Sequence, residues 1–220
     1  MTEKKIKAVL FDYDGTLMNT NDIVLQSWHY TYDAAGVAAP SDPEIAWSFG
    51  EPLAETMAKE FPGRDTQELV EIYRSYQREI FKGRVYMFPR VDKMVEELKA
   101  AGYKVAIVTS RLWITTTPAV YDFPIADRFD ALISAVDTTA HKPDPTCLLL
   151  ACEKLGITPD EAIYVGDSRF DMHCAKNAGM KSVLVDWTIC LPAEKRTGLY
   201  EPDYVISEPE ELIDIVANLE

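Results

Sequence analysis

Ile6-Lys7-Ala8-Val9-Leu10-Phe11-Asp12-Tyr13-Asp14-Gly15-Thr16 (residues 6–16) sets the frame for the rest of the chain. Residues 6–11 form a nearly continuous apolar run of strand length. Such a run suits a strand buried on both faces, as in a parallel sheet covered by helices. It stops at two aspartates and a glycine. Ligands of open parallel sheets gather at the carboxyl ends of the strands. Asp12 and Asp14 are therefore expected on a functional rim.

The unit recurs toward the C-terminus. Val91, Met94, Val95 and Leu98 make a helical face, and Gly102 stands where a C′ glycine belongs. A strand is expected over 103–108, followed by Thr109-Ser110, and a third over 131–136, followed by Asp137. Pro143, Asp144 and Pro145 open a helix with the face Leu148, Cys152 and Leu155, closed by Gly156. A strand over 162–165 runs into Gly166-Asp167-Ser168, a helix reaches Ala178 and Gly179, and a fifth strand covers 182–185. Residues 204–206 suit a sixth, with Ser207 and Glu210 capping a last helix. Strands alternating with helices predict an α/β fold, a Rossmann-like parallel sheet core with helices on both faces.

Residues 18–88 break that rhythm with helical patterning and no strand signal. Ser41 and Glu44 have capping-box spacing, and Asp65 with Glu68 is an aspartate version of it. Within 65–82, Leu69, Tyr73, Tyr76 and Ile80 fall on one stripe, read as packing of an inserted all-helical cap domain. His29 is assigned to the same packing. Arg74, Arg78, Lys82 and Arg84 read as a solvated face, from which one could reach a substrate carboxylate. The expected division is 1–17 and 88–220 for the core and 18–87 for the cap.

Acidic residues number 36 against 22 basic ones, a net charge of −14. That field repels nucleic acid and anionic membranes, and a phosphorylated ligand must be captured by local cations. No apolar run approaches the roughly 18 residues that span a bilayer. Lys4, Lys5 and Lys7 could pass as a basic leader, but Asp12 cuts off the apolar run behind them. The four cysteines, Cys147, Cys152, Cys174 and Cys190, form no C-x-x-C pair and read as reduced thiols of a cytoplasmic protein.

Gathering Asp12, Asp14, Asp167 and Asp171 at one rim sets like charges against each other, at about 4 kcal/mol per close pair for an effective dielectric near 20. Such a cluster needs a cation, and all-oxygen ligands favour Mg²⁺. Taken singly, each residue has a plainer role. Asp12 and Asp14 could form a turn with Gly15, Lys142 could be solvated, and Asp171 could answer a helix dipole. His173 and Cys174 lack a second ligand pair for zinc.

Together, Asp12-Tyr13-Asp14-Gly15-Thr16-Leu17, Val108-Thr109-Ser110, Lys142-Pro143-Asp144-Pro145 and Gly166-Asp167-Ser168-x-x-Asp171 resemble, in order, the four motifs of the haloacid-dehalogenase superfamily. Phe88-Pro89 leading to Leu98 and Gly102, and Gly50-x-Pro52-Leu53, resemble its phosphoglycolate-phosphatase-like branch, with a helical cap after the first motif. The resemblance covers nearly the whole chain. It implies a Mg²⁺-dependent phosphatase of a small phosphorylated metabolite, acting as a monomer or homodimer with no nucleic-acid or membrane partner. Asp12 would be the nucleophile and Asp14 the acid and base. Thr109, Ser110 and Lys142 would bind the phosphoryl group, Thr109 and Lys142 counting among the catalytic residues. Asp12, Asp14 (through its carbonyl), Asp167 and Asp171 would serve the metal, Asp171 either through water or by orienting Lys142.

A β-phosphoglucomutase-type mutase is the first alternative. That group has a cap histidine where this chain has Val24, and an arginine in the loop that here reads Glu51-Pro52-Leu53. A pyrophosphatase and a non-catalytic phosphoacceptor module are further alternatives. Tyr13 replaces a usual apolar residue, Arg90 stands where glycine is common, and Pro118 and Pro124 make an irregular segment. The roles of Arg111 and Arg169 are open.

Overall fold

The computed structural model describes residues 5–81, 83–112 and 125–219. Lys4, Lys82, Pro118 and Pro124 lie outside the described residues. The first strand, β1 (Ala8–Phe11), is followed by two short ones, β2 (Met18–Asn19) and β3 (Tyr86–Met87). Then come β4 (Lys104–Val108), β5 (Ala131–Ile133), β6 (Ala162–Gly166), β7 (Lys181–Val185) and β8 (Tyr204–Ile206). Six of them form one parallel sheet in the order β5-β4-β1-β6-β7-β8. The chain fills one side of β1 and then the other. That places a topological switch point, where such sheets bind ligands, at β1.

Alternation along β1 assigns its side chains to two layers. Val9 and Phe11 pack with Val105 and Ile107 against α5 (Val91–Ala100) and α8 (Glu211–Asn218), through Met94, Leu98, Leu212 and Val216. Ala8 and Leu10 pack with Ala106 and Val108 against α6 (Thr146–Leu155) and α7 (Arg169–Ala178), through Leu148 and Cys174. All four residues of β1 are fully buried. Phe11 is level with Ile107 on one side and Val165 on the other. The rim residues of three strands therefore leave the sheet side by side.

Between β2 and β3 run α1 (Asn21–Ala35), α2 (Asp42–Ala46), α3 (Leu53–Glu60) and α4 (Thr66–Phe81). They share an apolar cluster that includes Trp28, Tyr32, Met57, Phe61, Leu69 and Tyr73. Glu44 accepts the Ser41 N–H at 2.9 Å, and Asp65 Oδ1 accepts the Gln67 N–H at 2.8 Å, so both expected helix starts carry side-chain caps.

Several expectations are corrected. The stretch 18–88 does contain strand: β2 and β3 pair antiparallel, Met18 opposite Met87, and tie the two crossings together. Two residues are too few to show a period. The strand expected over 131–136 ends at Ile133, because the Asp137 carboxylate accepts the Ser134 N–H and hydroxyl at 2.7 and 2.8 Å and turns the chain. The helix after Lys142 begins at Thr146, whose N–H donates to Asp144 Oδ1 at 2.9 Å. The Ser207 N–H donates to Glu211, at 2.8 Å, rather than to Glu210. His29 is half-buried and pairs with Asp42 of α2 at 2.7 Å rather than joining the apolar cluster. The α4 stripe divides: Leu69 and Tyr73 are buried, whereas Tyr76 stacks on Tyr30 with ring centroids 4.1 Å apart.

Arg90 is the residue other than glycine with a positive φ, 67°, among the described residues. Its guanidinium pairs with Glu208 and Glu210, which hold the turn that starts α5. All four cysteines are buried free thiols. Among the described residues no helix is long and apolar enough to cross a membrane.

Candidate active site

Asp12 follows β1 directly, and its N–H continues the ladder to Val165 at 2.8 Å. Lys142 arrives from the loop before α6. Its ammonium has three protons, and three acceptors surround it: Asp12 Oδ1 at 2.7 Å, Asp171 Oδ1 at 2.8 Å and the Val108 carbonyl at 3.0 Å. All of these side chains are buried. Asp12 Oδ2 has no hydrogen-bond partner among the described residues and belongs to the lining of the cavity.

Asp171 sits three residues after the N-cap of α7. Its Oδ2 accepts the Ser168 N–H at 3.0 Å and the Ser168 hydroxyl at 2.6 Å. The Tyr164 hydroxyl lies 2.9 Å from its Oδ1, beside Lys142. Both oxygens are thus occupied. The helix-start role and the Lys142-orienting role that the sequence left as alternatives are filled together. Asp167 accepts from the Thr188 hydroxyl at 3.2 Å and the Cys190 thiol at 3.1 Å. Those two residues follow β7, and no motif in the sequence marked them.

Two glycines let these groups approach. Gly15 has φ +75°, and a Cβ there would stand 2.1 Å from Asp167 Oδ2. A Cβ on Gly166 would stand 2.4 Å from that of Asp171. Neither position has room for a side chain while the carboxylates keep their places.

Asp14 points elsewhere. Its Oδ1 accepts from Arg111 Nη1 at 3.0 Å, and Arg111 Nη2 donates to Gln77 of α4 at 3.3 Å. Arg111 is nearly buried and also lies over the Phe81 ring at 5.4 Å. One arginine therefore joins the first motif to the inserted helices. Arg169 instead stacks on Trp47, 4.4 Å from the ring centroid. The Thr109 hydroxyl accepts the Arg111 N–H at 3.1 Å, and the Ser110 hydroxyl reaches the Gly50 carbonyl at 3.4 Å.

One cavity of about 350 Å³ lies between the sheet rim and helices α1, α3 and α4. Asp12, Asp14, Thr109, Ser110, Lys142, Asp167 and Asp171 all border it. So do Val24, the Glu51-Pro52-Leu53 loop, Tyr73, Arg74 and Gln77. Arg74, expected on a solvated face, thus borders the cavity. Arg78 and Arg84 do face solvent.

The charges do not balance within the protein. Burial, then repulsion by Asp171 and Asp167, raises the Asp12 carboxyl well above the usual range despite the neighbouring lysine. Burial and Asp171 push Asp167 up to about 7. Burial opposes ionisation of Asp171 too, but Lys142 and the Ser168 donors outweigh it and hold that carboxyl low. Burial also works against the Lys142 charge, and Asp12 with Asp171 overcomes it and raises that group. One oxygen each of Asp12, Asp167 and Asp171 lies within 4.8 Å of the others. Three buried carboxylates around one lysine, all oxygen donors, fit a hard divalent cation.

A family model described as haloacid dehalogenase-like hydrolase matches residues 9–185. The chain is 40% identical over 214 residues to a Clostridium perfringens protein provisionally named as a pyrophosphatase PpaX, covering 97% of this chain and 99% of that one. It is 34% identical to the pyrophosphatase PpaX of Bacillus velezensis, covering 98% of each. A solved haloacid dehalogenase-like family hydrolase from Streptococcus pneumoniae superposes with a TM-score of 0.83 at 27% identity, over 97% of this chain and 99% of that one. By the matched motifs, the fold and these relatives, the chain belongs to the haloacid dehalogenase-like hydrolases.

Proposed function

We propose that the chain is a Mg²⁺-dependent cytoplasmic phosphatase that cleaves a small phosphorylated metabolite through a phosphoaspartate on Asp12. The observation that carries this reading is the state of Asp12: Oδ1 is pinned by Lys142, while Oδ2 is unengaged beside the cavity. In this reading Asp12 Oδ2 attacks phosphorus in line, and the bond to the leaving oxygen breaks. Asp14 gives that oxygen a proton, then takes one from the water that cleaves the acyl phosphate. The Thr109 hydroxyl and Ser110 N–H bind phosphoryl oxygens. Asp171 positions Lys142, and Arg111 positions Asp14. Asp12, Asp167 and the Asp14 carbonyl would hold Mg²⁺, which when bound would supply positive charge against the repulsion between the carboxylate and a phosphate dianion. Residues 18–87 act as the cap, with specificity set by their cavity wall.

For the substrate, the curated relatives named pyrophosphatase match nearly end to end, which moves pyrophosphate ahead of phosphoglycolate as the first candidate. Val24 and the Glu51-Pro52-Leu53 loop border the cavity without the histidine or arginine of a mutase, which supports hydrolysis. Asp14 beside the site gives a phosphoaspartate an in-place base, which disfavours a long-lived phosphoacceptor.

The reading is tested by phosphate release from p-nitrophenyl phosphate, phosphoglycolate and pyrophosphate, with Mg²⁺ and with EDTA. Release that needs the metal is expected. A stable acyl phosphate without release would replace the enzyme with a phosphoacceptor. Asp14→Asn should lower kcat on phosphoglycolate about a hundredfold and on p-nitrophenyl phosphate, a good leaving group, by only about tenfold. Equal losses on both would remove Asp14 as the acid for the leaving group and leave it only the base role in the hydrolysis that both substrates share.

Metal binding has a signature apart from turnover. Asp167 holds its proton to about pH 7 when folded, whereas an unfolded aspartate loses it near 4. The Asp167 contribution to the stability of the metal-free protein should therefore fall as pH rises from about 4 to 7. Saturating Mg²⁺ at pH 8 should raise Tm by about 5–10 °C, and by less at pH 5 where protons compete. Calorimetric melts with and without EDTA check this, and an equal shift at both pH values would contradict it.

A further inference from the structure

Among the described residues, the cavity lining holds one cation without an assigned task. Among its lining residues, Lys142 is held by Asp12, Asp171 and a carbonyl, and Arg111 by Asp14 and Gln77. Glu51, also in the lining, is taken by Lys59 and by the Thr56 hydroxyl at 2.8 Å. Arg74 has no hydrogen bond or ion pair among the described residues, although it is half-buried in a chain of net charge −14. Its neighbours on α4, Arg78 and Glu71, pair with each other.

Its position can be read from the helix. Gln77 is fixed to Arg111, and Arg111 to Asp14. Arg74 precedes Gln77 by three residues, on the same face of α4 and about 4.5 Å along its axis. It therefore stands one helical step from Gln77, which Arg111 links to Asp14, and it borders the same cavity as Asp12 and Asp14. A substrate whose phosphoryl group lay against Asp12 would extend its other end along this cavity, which Arg74 borders.

We propose that Arg74 is a specificity-determining residue that binds an anionic group on the leaving end of the substrate, so that the preferred substrates are small phosphate esters or anhydrides with a second negative charge. The proposal rests on the phosphatase reading and names the substrate class of that same cavity. A guanidinium takes a carboxylate or a phosphate equally well, in bidentate fashion. Pyrophosphate supplies the second kind of group and phosphoglycolate the first.

The test compares Arg74→Ala with the parent protein on three substrates. Pyrophosphate and phosphoglycolate carry a second anion; p-nitrophenyl phosphate does not. For whichever anionic substrate is turned over, kcat/KM should fall at least about tenfold, mainly through KM, the loss expected for a charge-assisted contact. Activity on p-nitrophenyl phosphate should stay within about twofold, and Arg74→Lys should recover part of the loss. Equal loss on all three substrates, or none on any, would overturn the assignment while leaving the phosphatase reading in place. Calorimetric binding of pyrophosphate and of phosphoglycolate to Asp12→Asn protein, with and without Arg74→Ala, reads the contact independently of turnover. There, unchanged affinity for both would overturn it as well.

Discussion

Asp12→Asn is expected to fold normally and to lose phosphate release by at least about a thousandfold. The amide keeps the shape and still offers an oxygen to Lys142, so the sheet rim need not move. It cannot form the acyl phosphate, because the nucleophilic carboxylate oxygen is gone. Stability should hold or rise in metal-free protein, since the exchange removes a buried carboxyl whose ionisation burial and two neighbouring aspartates oppose. The paired readouts are phosphate release and a thermal melt. A near-normal rate would take the nucleophile's role away from Asp12, and lost rate with a collapsed melt would point to a structural role instead.

Lys142→Ala is expected to have the largest effect on stability. The ammonium satisfies two carboxylates, and both partners are buried. Without it, Asp171 loses the counter-ion that holds its carboxyl low, in a low-dielectric site beside Asp12 and Asp167. Breaking a buried pair by removing one partner costs about 3–5 kcal/mol. Urea unfolding at pH 7 measures it. The deficit should shrink as pH falls below about 4: the stabilisation from Asp171, whose folded carboxyl is held low, exists above the unfolded pKa and is lost as the pH falls through the folded one. A deficit under about 1 kcal/mol would be that of an exposed ion pair and would contradict the burial of this one.

Much of this was legible in the sequence because one physical constraint writes it strongly. A strand buried on both faces must be apolar throughout, so residues 6–11 and 103–108 stand out, and the polar residues after them mark the rim. The acidic motifs are similarly plain, because few arrangements tolerate several buried carboxylates. Asp12, Lys142 and Asp171 do meet, within hydrogen-bond distance. What escaped notice depends on single contacts. Nothing local tells that Arg111 turns to Asp14 and Gln77, or that Thr188 and Cys190 close on Asp167 from β7. Arg74 and Arg78 look alike in sequence. The packed structure puts one at the cavity and leaves the other in solvent with Glu71. The Ser207 and Glu210 spacing was a sound capping signal, yet the neighbouring Glu211 took the bond, a shift of one residue that spacing cannot separate.

The tight fit of Gly15 and Gly166 against their aspartates has a practical consequence for anyone redesigning this protein. At those two positions even a methyl group displaces a carboxylate, so random mutagenesis along the rim will return mostly inactive clones. On the opposite wall Val24, Leu53 and Arg74 are only partly buried. A focused library at Val24, Leu53 and Arg74 would vary what the cavity accepts while leaving its reactive floor untouched.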